Sequence, residues 1–338
     1  MSRVLVAYTA EHPVDLERFH ERIDAEVDTV EMPVKRDEAQ ADAVIAALDG
    51  HDGLFVRSGY LPARVFDTAP DLRVVALHGS GYDHVDLDAA TEHGVIVTHN
   101  PEGPGPAVVE HTIAFMISLL RDLPRRFDRT ANGDWSGARE VLPELGQRTV
   151  GVIGLGTIGF PVAKALLGTF DAEVIGYDPY LTGDRESPIW PRYSRNDVET
   201  IGVELVELEA VFDRASVVTV HTPLTSETEA LIDRPLLARL DGGYVINVAR
   251  GGVIDEAALA AALDSGDVIR AGLDVLSTEP PPENHPLLGR DDVYVTPHVA
   301  GVTDGYLRRA ADVGAEKLET GLAGGRPDFV VNPWVLSR

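Results

Sequence analysis

Three late segments of the chain end apolar runs with residues that together could reduce a ketone beside a carboxylate. Arg250 lies in NVARGGVIDE, Asp274 and Glu279 in GLDVLSTEPP, and His298 in VTPHVAG. A guanidinium can hold a carboxylate by paired hydrogen bonds and polarise the adjacent carbonyl. An imidazolium can donate the proton that a new alkoxide needs. A carboxylate bonded to the other ring nitrogen fixes the tautomer and favours the charged ring. Taken singly, each has a duller reading: Arg250 as a surface or capping charge, Glu279 beside Pro280, Pro281 and Pro282 as a solvated loop acid, His298 as a satisfied histidine at a strand end. Convergence is expected because ligands in open α/β sheets bind outside the carboxyl ends of the strands.

A second constellation points to a nucleotide. TVGVIGLGTIG sets Gly154, Gly156 and Gly159 in a GxGxxG pattern between a β-like run and the helical stretch FPVAKALLGTF, where Pro161 suits a first turn. The first glycine permits a tight turn, the second lets backbone approach a pyrophosphate, and the third allows close packing of helix on strand. Amides at the helix start then face the phosphates. Nineteen residues beyond Gly159, Asp178 ends the next strand, where a carboxylate accepts both ribose hydroxyls and repels a 2′-phosphate. That favours NAD over NADP. The glycines alone would be a weak signal; strand, glycines, helix, strand and acid in order within one βαβ length make a strong one.

The elements that must position these residues alternate short apolar runs with helical stretches, the pattern of an α/β protein with mostly parallel sheets. Expected strands are Val4 to Tyr8, Gly53 to Val56, Val74 to His78 and Val95 to His99, then a second series. It comprises Thr149 to Gly154, Glu173 to Asp178, Ser216 to His221, Gly243 to Ala249, Ile269 to Val275 and Val293 to His298. Between the series, VVEHTIAFMISLLRDLPRRFDRT has helical periodicity over an unusual length and could cross between domains. NPEGPGP before it reads as a linker. After the last strand, GYLRRAADVGAEKLETGLAGG is a helix with a glycine stop, and PDFVVNPWVL is an extended tail that could return to the first domain.

With 338 residues and 44% hydrophobic content, two domains of ordinary size are expected. No apolar run is long enough to span a bilayer and MSRVLVAYTA reads as a buried strand, so a cytoplasmic protein is expected. The sequence has no cysteine, which removes disulfides, thiolate nucleophiles and cysteine-bound zinc; no metal is expected. Acidic residues number 55 against 29 basic, a net charge of -26, and Lys35, Lys164 and Lys317 are the only lysines. Nucleic acid is not expected as a partner, since its binding rests on basic side chains neutralising phosphates. Self-repulsion of this size is relieved when salt shortens the Debye length to roughly 3 Å at 1 M, which suggests adaptation to a salty cytosol. An acidic protein from a GC-rich genome, with Arg replacing Lys, is the plainer alternative.

The blocks VGVIGLGTIG, YDP, HTPLTSET, INVARGGVIDE, GLDV with its following EP, and TPHVAG, with HGSGYDHVDL before and VVNP after, resemble in residue and order the D-isomer-specific 2-hydroxyacid dehydrogenase family, which includes D-lactate, glyoxylate/hydroxypyruvate and D-3-phosphoglycerate dehydrogenases. The match runs from about residue 75 to 335. The resemblance implies an α/β fold of two Rossmann-like doubly wound domains separated by a cleft that closes over substrate. Residues 1–104 with 302–338 would form a discontinuous, flavodoxin-like substrate-binding domain, and 105–301 the NAD-binding domain. It implies Arg250 on the substrate carboxylate, His298 as general acid/base and Glu279 as its partner. Ser80 and Gly81 would line the pocket. For the cofactor it implies Gly154, Gly156, Thr157, Ile158 and Gly159 at the pyrophosphate, and Asp178 at the ribose. Thr222 and Pro223 would lie near the adenosine, Val248 and Ala249 with Arg250 near the nicotinamide ribose, Asp274 at the carboxamide, and His298 beside the ring. A homodimer is implied as well.

Two segments depart from the family. Gly183 to Asp197 is longer than the usual connection and reads as a surface loop rather than a lid contact, and NPEGPGPAVVEH is rich in Pro and Gly where relatives are polar. Arg57 in LFVRSGY ends an early strand and could hold a second anion, as basic residues near here do in relatives acting on phosphoglycerate; pairing with a surface acid is the competing reading. The favoured activity is reduction of a 2-oxo acid, glyoxylate or hydroxypyruvate, because the chain ends without a further regulatory domain. Phosphoglycerate dehydrogenase is the alternative. A non-catalytic NAD-sensing corepressor would be expected to lack Arg, Glu or His, and formate and phosphite dehydrogenases need added basic pocket residues.

Overall fold

The computed structural model describes residues 1–181 and 193–337. It divides into two compact units, Met1–Gly105 with Val302–Arg338, and Pro106–Gly301.

In the first unit the chain runs β1 (Arg3–Thr9), α1 (Leu16–Arg22), β2 (Glu26–Met32), α2 (Glu38–Ala47), β3 (Gly53–Val56), α3 (Ala63–Asp67), β4 (Val74–Leu77), α4 (Leu87–Glu92) and β5 (Ile96–Thr98). The strands pair in parallel in the order β2-β1-β3-β4-β5, with Leu5 opposite Leu54 and Phe55 opposite Ala76. β3 and β4 are buried along their whole length, as strands covered on both faces must be. β2, in EVDTVEM, was not among the expected strands: it is an edge strand whose mixed polar pattern carries little periodicity.

The second unit opens with α5 (Gly105–Arg121) and α6 (Leu123–Ala131). The single long helix expected here is broken at Asp122, whose φ of 50° is left-handed. Pro124 forces the break, since it has no N–H and its ring clashes with the preceding turn. Asp122 is held by the Tyr294 hydroxyl at 2.6 Å and by Arg270 at 3.2 Å. The Pro/Gly cluster is not wholly a linker either, because α5 already begins at Gly105.

There follow β6 (Thr149–Ile153), α7 (Gly159–Ala165), β7 (Glu173–Tyr177), α8 (Arg195–Thr200), β8 (Glu204–Leu205), α9 (Leu208–Arg214), β9 (Val217–Val220), α10 (Arg234–Leu237), β10 (Gly243–Asn247), α11 (Glu256–Ser265), β11 (Val268–Leu273) and β12 (Val293–Val295). All pair in parallel, in the order β12-β11-β10-β9-β6-β7-β8. Chain order reverses between β6 and β9, the switch point at which such sheets bind dinucleotides. The two-residue β8 was not expected; it is too short to show a period. Most of the Gly183–Asp197 segment lies outside the described residues, and its last three residues open α8 behind a Ser194 and Asp197 capping box.

Finally α12 (Asp304–Leu322) returns to the first unit. Its small residues Ala311, Gly314 and Ala315 let it lie close on β3 and β4; a Cβ at Gly314 would meet the Phe55 ring at 2.4 Å. The tail then pairs with β5, as Val331 N–H donates to Val97 O at 2.9 Å and Val97 N–H to Asn332 Oδ1 at 2.9 Å. No helix among the described residues is long and apolar enough to cross a membrane.

Candidate active site

The loop after β6 is shaped for a pyrophosphate. Gly154 has φ +88°, and a Cβ at Gly159 would sit 1.9 Å from Gly154 O, so only glycine allows the turn and the close helix start. At Gly156 the corresponding direction is open. Helical bonding begins at once, with Phe160 N–H donating to Gly156 O and Val162 N–H to Ile158 O, which aims the amides of the first turn, Thr157 and Ile158 among them, out of the helix end.

Asp178 follows β7, its Oδ2 accepting from Leu155 N–H and its Oδ1 from Tyr180 N–H, each at 3.0 Å. A carboxylate has about four acceptor positions, so capacity for ribose hydroxyls remains. At the end of β9, His221 Nδ1 and Thr222 Oγ1 are buried without hydrogen-bond partners among the described residues, as groups awaiting a bound polar molecule are. Burial pulls the His221 imidazole down to about 3, so the ring is neutral. Pro223 is exposed beside it. Open backbone at Gly156, a spare acceptor at Asp178 and orphaned polar atoms at β9 together fit a dinucleotide.

The charged set lies in the loops that follow the adjoining strands β10, β11 and β12. After β10, the buried Asn247 side chain braces the turn by donating to Arg250 O at 2.9 Å and accepting from Ala249 N–H at 3.0 Å. Val248 is buried, Ala249 and Arg250 half-buried, and Arg250 Nη1 donates to Ala249 O at 2.8 Å. Gly251 allows this turn to touch the loop after β11: a Cβ there would lie 2.0 Å from Leu276 C.

In that loop Glu279 Oε1 accepts from Leu276 N–H at 3.0 Å, and Oε2 lies 2.8 Å from His298 Nδ1. Partial burial alone would raise the Glu279 carboxyl, but the bond and charge of His298, the Leu276 amide and the Arg250 charge hold it below the usual carboxylate range. An ionised carboxylate only accepts, so Nδ1 carries a hydrogen and Nε2 is the atom available to exchange a proton. The arrangement can therefore bind an anion at Arg250 and move a proton at His298.

Asp274, only 1% exposed, accepts from the Thr296 hydroxyl at 2.6 Å and Val299 N–H at 2.8 Å on Oδ1, and from Ala300 N–H at 2.9 Å on Oδ2. Thr296, Asn247 and His111, whose Nε2 lies 3.1 Å from Thr296 Oγ1, were not anticipated from sequence. A threonine two residues before a strand-end histidine, and an asparagine three before an arginine, are the signals that could have marked two of them.

Arg57, Ser80 and Gly81 belong to the other unit, after β3 and β4. Ser80 and Gly81 are half-buried, and Ser80 O accepts from His99 Nδ1 at 2.8 Å. Arg57 is 5% exposed and does not make the surface acid pair that was one of its two expected readings. Its Nη1 donates to Pro13 O at 2.8 Å and lies 3.3 Å from His78 Nε2, its guanidinium is over the Tyr306 ring, and no carboxylate pairs with it among the described residues.

A family model described as D-isomer specific 2-hydroxyacid dehydrogenase, NAD binding domain, matches residues 113–300. D-3-phosphoglycerate dehydrogenase of Mycobacterium tuberculosis is 39% identical over 285 residues, covering 84% of this chain and 51% of that protein. Glyoxylate reductase of Thermofilum pendens is 36% identical over 283 residues, covering 82% of this chain and 79% of that one. The crystal structure of a Thermus thermophilus protein is similar with a TM-score of 0.81 at 30% identity, covering 97% of this chain and 99% of that one. The chain spans about half the length of the phosphoglycerate dehydrogenases it matches. It belongs to the D-isomer specific 2-hydroxyacid dehydrogenase family, with the family's NAD-binding domain in residues 113–300.

Proposed function

We propose that this chain interconverts a small, unphosphorylated 2-oxo acid of the glyoxylate or hydroxypyruvate kind and its D-2-hydroxy acid, using NADH and NAD. The observation that carries the reading is the 2.8 Å contact of His298 Nδ1 with Glu279 Oε2, which commits Nε2 to proton exchange. Bound NADH supplies the hydride that reaches substrate C2. Arg250 holds the substrate carboxylate and draws electron density from the ketone oxygen. His298 Nε2–H protonates that oxygen as it becomes an alkoxide, while Glu279 stabilises the imidazolium. In the oxidation direction Nε2 takes the hydroxyl proton. Gly154 to Gly159 and Asp178 bind the dinucleotide, Asp178 selecting NAD over NADP, and Asp274 retains an acceptor position at Oδ2 for a carboxamide. Ser80 and Gly81 are the substrate contacts proposed within their own unit.

Oxidation of 3-phosphoglycerate is the second reading, favoured by the relatives of that name and by Arg57, a buried cation without a carboxylate partner among the described residues. The deciding experiment follows NADH oxidation at 340 nm with glyoxylate, hydroxypyruvate, pyruvate, longer 2-oxo acids and 3-phosphohydroxypyruvate, each in dilute buffer and in molar KCl. Preference for one unphosphorylated acid supports the proposal. Selective use of the phosphorylated acid replaces it with the second reading, and no oxidation at all leaves a non-catalytic NAD-binding role. Rates that rise with KCl are expected of a chain with net charge -26 in a salt-adapted cytosol.

A homodimer is part of the proposal. α6 has no buried residue, and Phe127, Trp135 and Val141 are 68%, 71% and 95% exposed, large apolar groups of the kind that a partner subunit covers. Sedimentation as a monomer at micromolar concentration in molar KCl would remove this element.

A further inference from the structure

His298 is the one site residue outside the glycines whose backbone is left-handed, with φ +54°. A side chain with a Cβ adopts that region at a cost of about 1 kcal/mol or more, and holds it only where neighbouring bonds leave no alternative. Here the bonds are visible. His298 N–H donates to Asp274 O at 2.8 Å and also lies 3.0 Å from Thr296 O. The next two amides, Val299 and Ala300, close on the two oxygens of the Asp274 carboxylate. Among the described residues that carboxylate has no lysine or arginine partner, although it is almost wholly buried. Two amides and the Thr296 hydroxyl stabilise it, and they can do so only while the 296–300 segment keeps its present shape.

The direction of the remaining bonds follows. Two amides already donate to Asp274, so the 2.6 Å contact on Oδ1 carries the Thr296 hydroxyl proton. With its single proton so placed, Thr296 Oγ1 can only accept from His111, whose Nε2 therefore bears hydrogen. That N–H also lies 3.8 Å from Asp274 Oδ1. The ring of His111 is set edge-on against Phe115, one turn further along α5, with centroids 4.7 Å apart.

We propose that Thr296 and His111 are positioning residues for proton transfer. The chain His111 Nε2–H to Thr296 Oγ1–H to Asp274 holds the carboxylate in place, and the carboxylate holds His298 in the left-handed turn that brings its ring to Glu279. This rests on His298 being the acid/base group. Both act through Asp274 on His298, so their loss should appear chiefly in turnover.

The test uses the full chain with NADH and the 2-oxo acid it reduces best. Thr296→Val keeps the shape and removes the hydroxyl; kcat should fall about tenfold, KM for the acid should stay within about twofold, and any loss of NADH affinity through Asp274 should be smaller than the loss in kcat. Thr296→Ser should restore kcat to within about threefold. His111→Phe should lower kcat several-fold alone and add little in the Thr296→Val background, because both act through one carboxylate. Unchanged kcat in Thr296→Val, or a serine variant as slow as the valine one, overturns the proposal. Should Thr296→Val fail to fold, the His111→Phe and Thr296→Ser pair decides: wild-type kcat in His111→Phe refutes it. His298→Ala separates the two layers, since turnover preserved there defeats the acid/base reading itself, whereas an inactive His298→Ala beside a normal Thr296→Val defeats only this inference.

Discussion

Replacing Glu279 by Gln removes one charge at nearly constant volume, and the geometry says how much that should matter. The Nδ1 to Oε2 contact is 2.8 Å, and the His298 and Glu279 side chains are 51% and 38% exposed. Charge centres about 4 Å apart interact by about 1 kcal/mol in bulk water and about 4 kcal/mol at the effective dielectric of a protein surface. Half-exposure draws the value toward the lower end, because solvent screens the pair. About 2 kcal/mol of imidazolium stabilisation is then lost, and turnover falls about thirtyfold.

The hydrogen-bond pattern adds a second cause of loss. Glu279 accepts on both oxygens, from Leu276 N–H and from His298 Nδ1, but glutamine has one accepting oxygen and an amide that only donates. If Leu276 keeps the oxygen, the amide meets Nδ1 and forces the imidazole proton to Nε2. That tautomer cannot take a proton from a hydroxyl, and recharging it to the imidazolium would set Nδ1–H against the amide, so oxidation of the 2-hydroxy acid and reduction of the 2-oxo acid should both fall. Steady-state kcat in both directions, with NADH affinity by fluorescence as control, reads this out. A variant within threefold of wild type in both directions would refute the role given to the pair.

Two further outcomes follow from other parts of the molecule. Asp178→Ala should weaken NADH binding and relax the preference for NADH over NADPH; an unchanged ratio of the two dissociation constants would mean that the ribose is read elsewhere. Burial pulls the His99 imidazole down to about 4, despite its bond to Ser80 O, which favours the charged form. The unfolded chain takes up this proton as pH falls below about 6.5 and the folded chain does not until about 4, so stability declines through that window, by about 2 kcal/mol at pH 5. His78, buried beside Arg57, titrates in the same direction. His99→Asn should flatten part of the decline in urea midpoints between pH 7.5 and 5, and an equal decline in both proteins would rule His99 out.

How far the site could be read from sequence depends on how local each signal is. The expected strand cores Gly53–Val56, Val74–Leu77, Thr149–Ile153 and Glu173–Tyr177 are strands, because parallel strands buried on both faces leave unbroken apolar runs. β2 escaped notice since an edge strand need bury only part of itself. The break at Asp122 was encoded in Pro124, yet helical periodicity continues across it and hides it. Arg250, Glu279 and His298 could be picked out because each lies in the loop just after a strand, three residues beyond β10, six beyond β11 and three beyond β12. His111 could not: it lies 163 residues before Asp274 on a helix whose pattern reads as ordinary packing, and only the fold brings it to Thr296.

In the proposed mechanism the two carboxylates around His298 divide a task that one could not perform. A single acid bonded to the ring would set the tautomer but leave the backbone at φ +54° free to relax and carry the ring away. A single acid bonded to the backbone would keep the turn but leave the ring to rotate about χ1 and χ2. Asp274, buried and bonded to main-chain amides, suits the first function because neither screening nor rotamer freedom disturbs it. Glu279, half-exposed on the loop after β11, suits the second, because its fixed negative charge meets Nδ1 and stabilises the ring each time it gains a proton. Both come from the loop that follows one strand, five residues apart, with the histidine after the neighbouring strand β12. Parallel pairing of β11 and β12 is therefore what fixes the distance across which the proton is managed, and a substitution that shifts that register should disable both functions together.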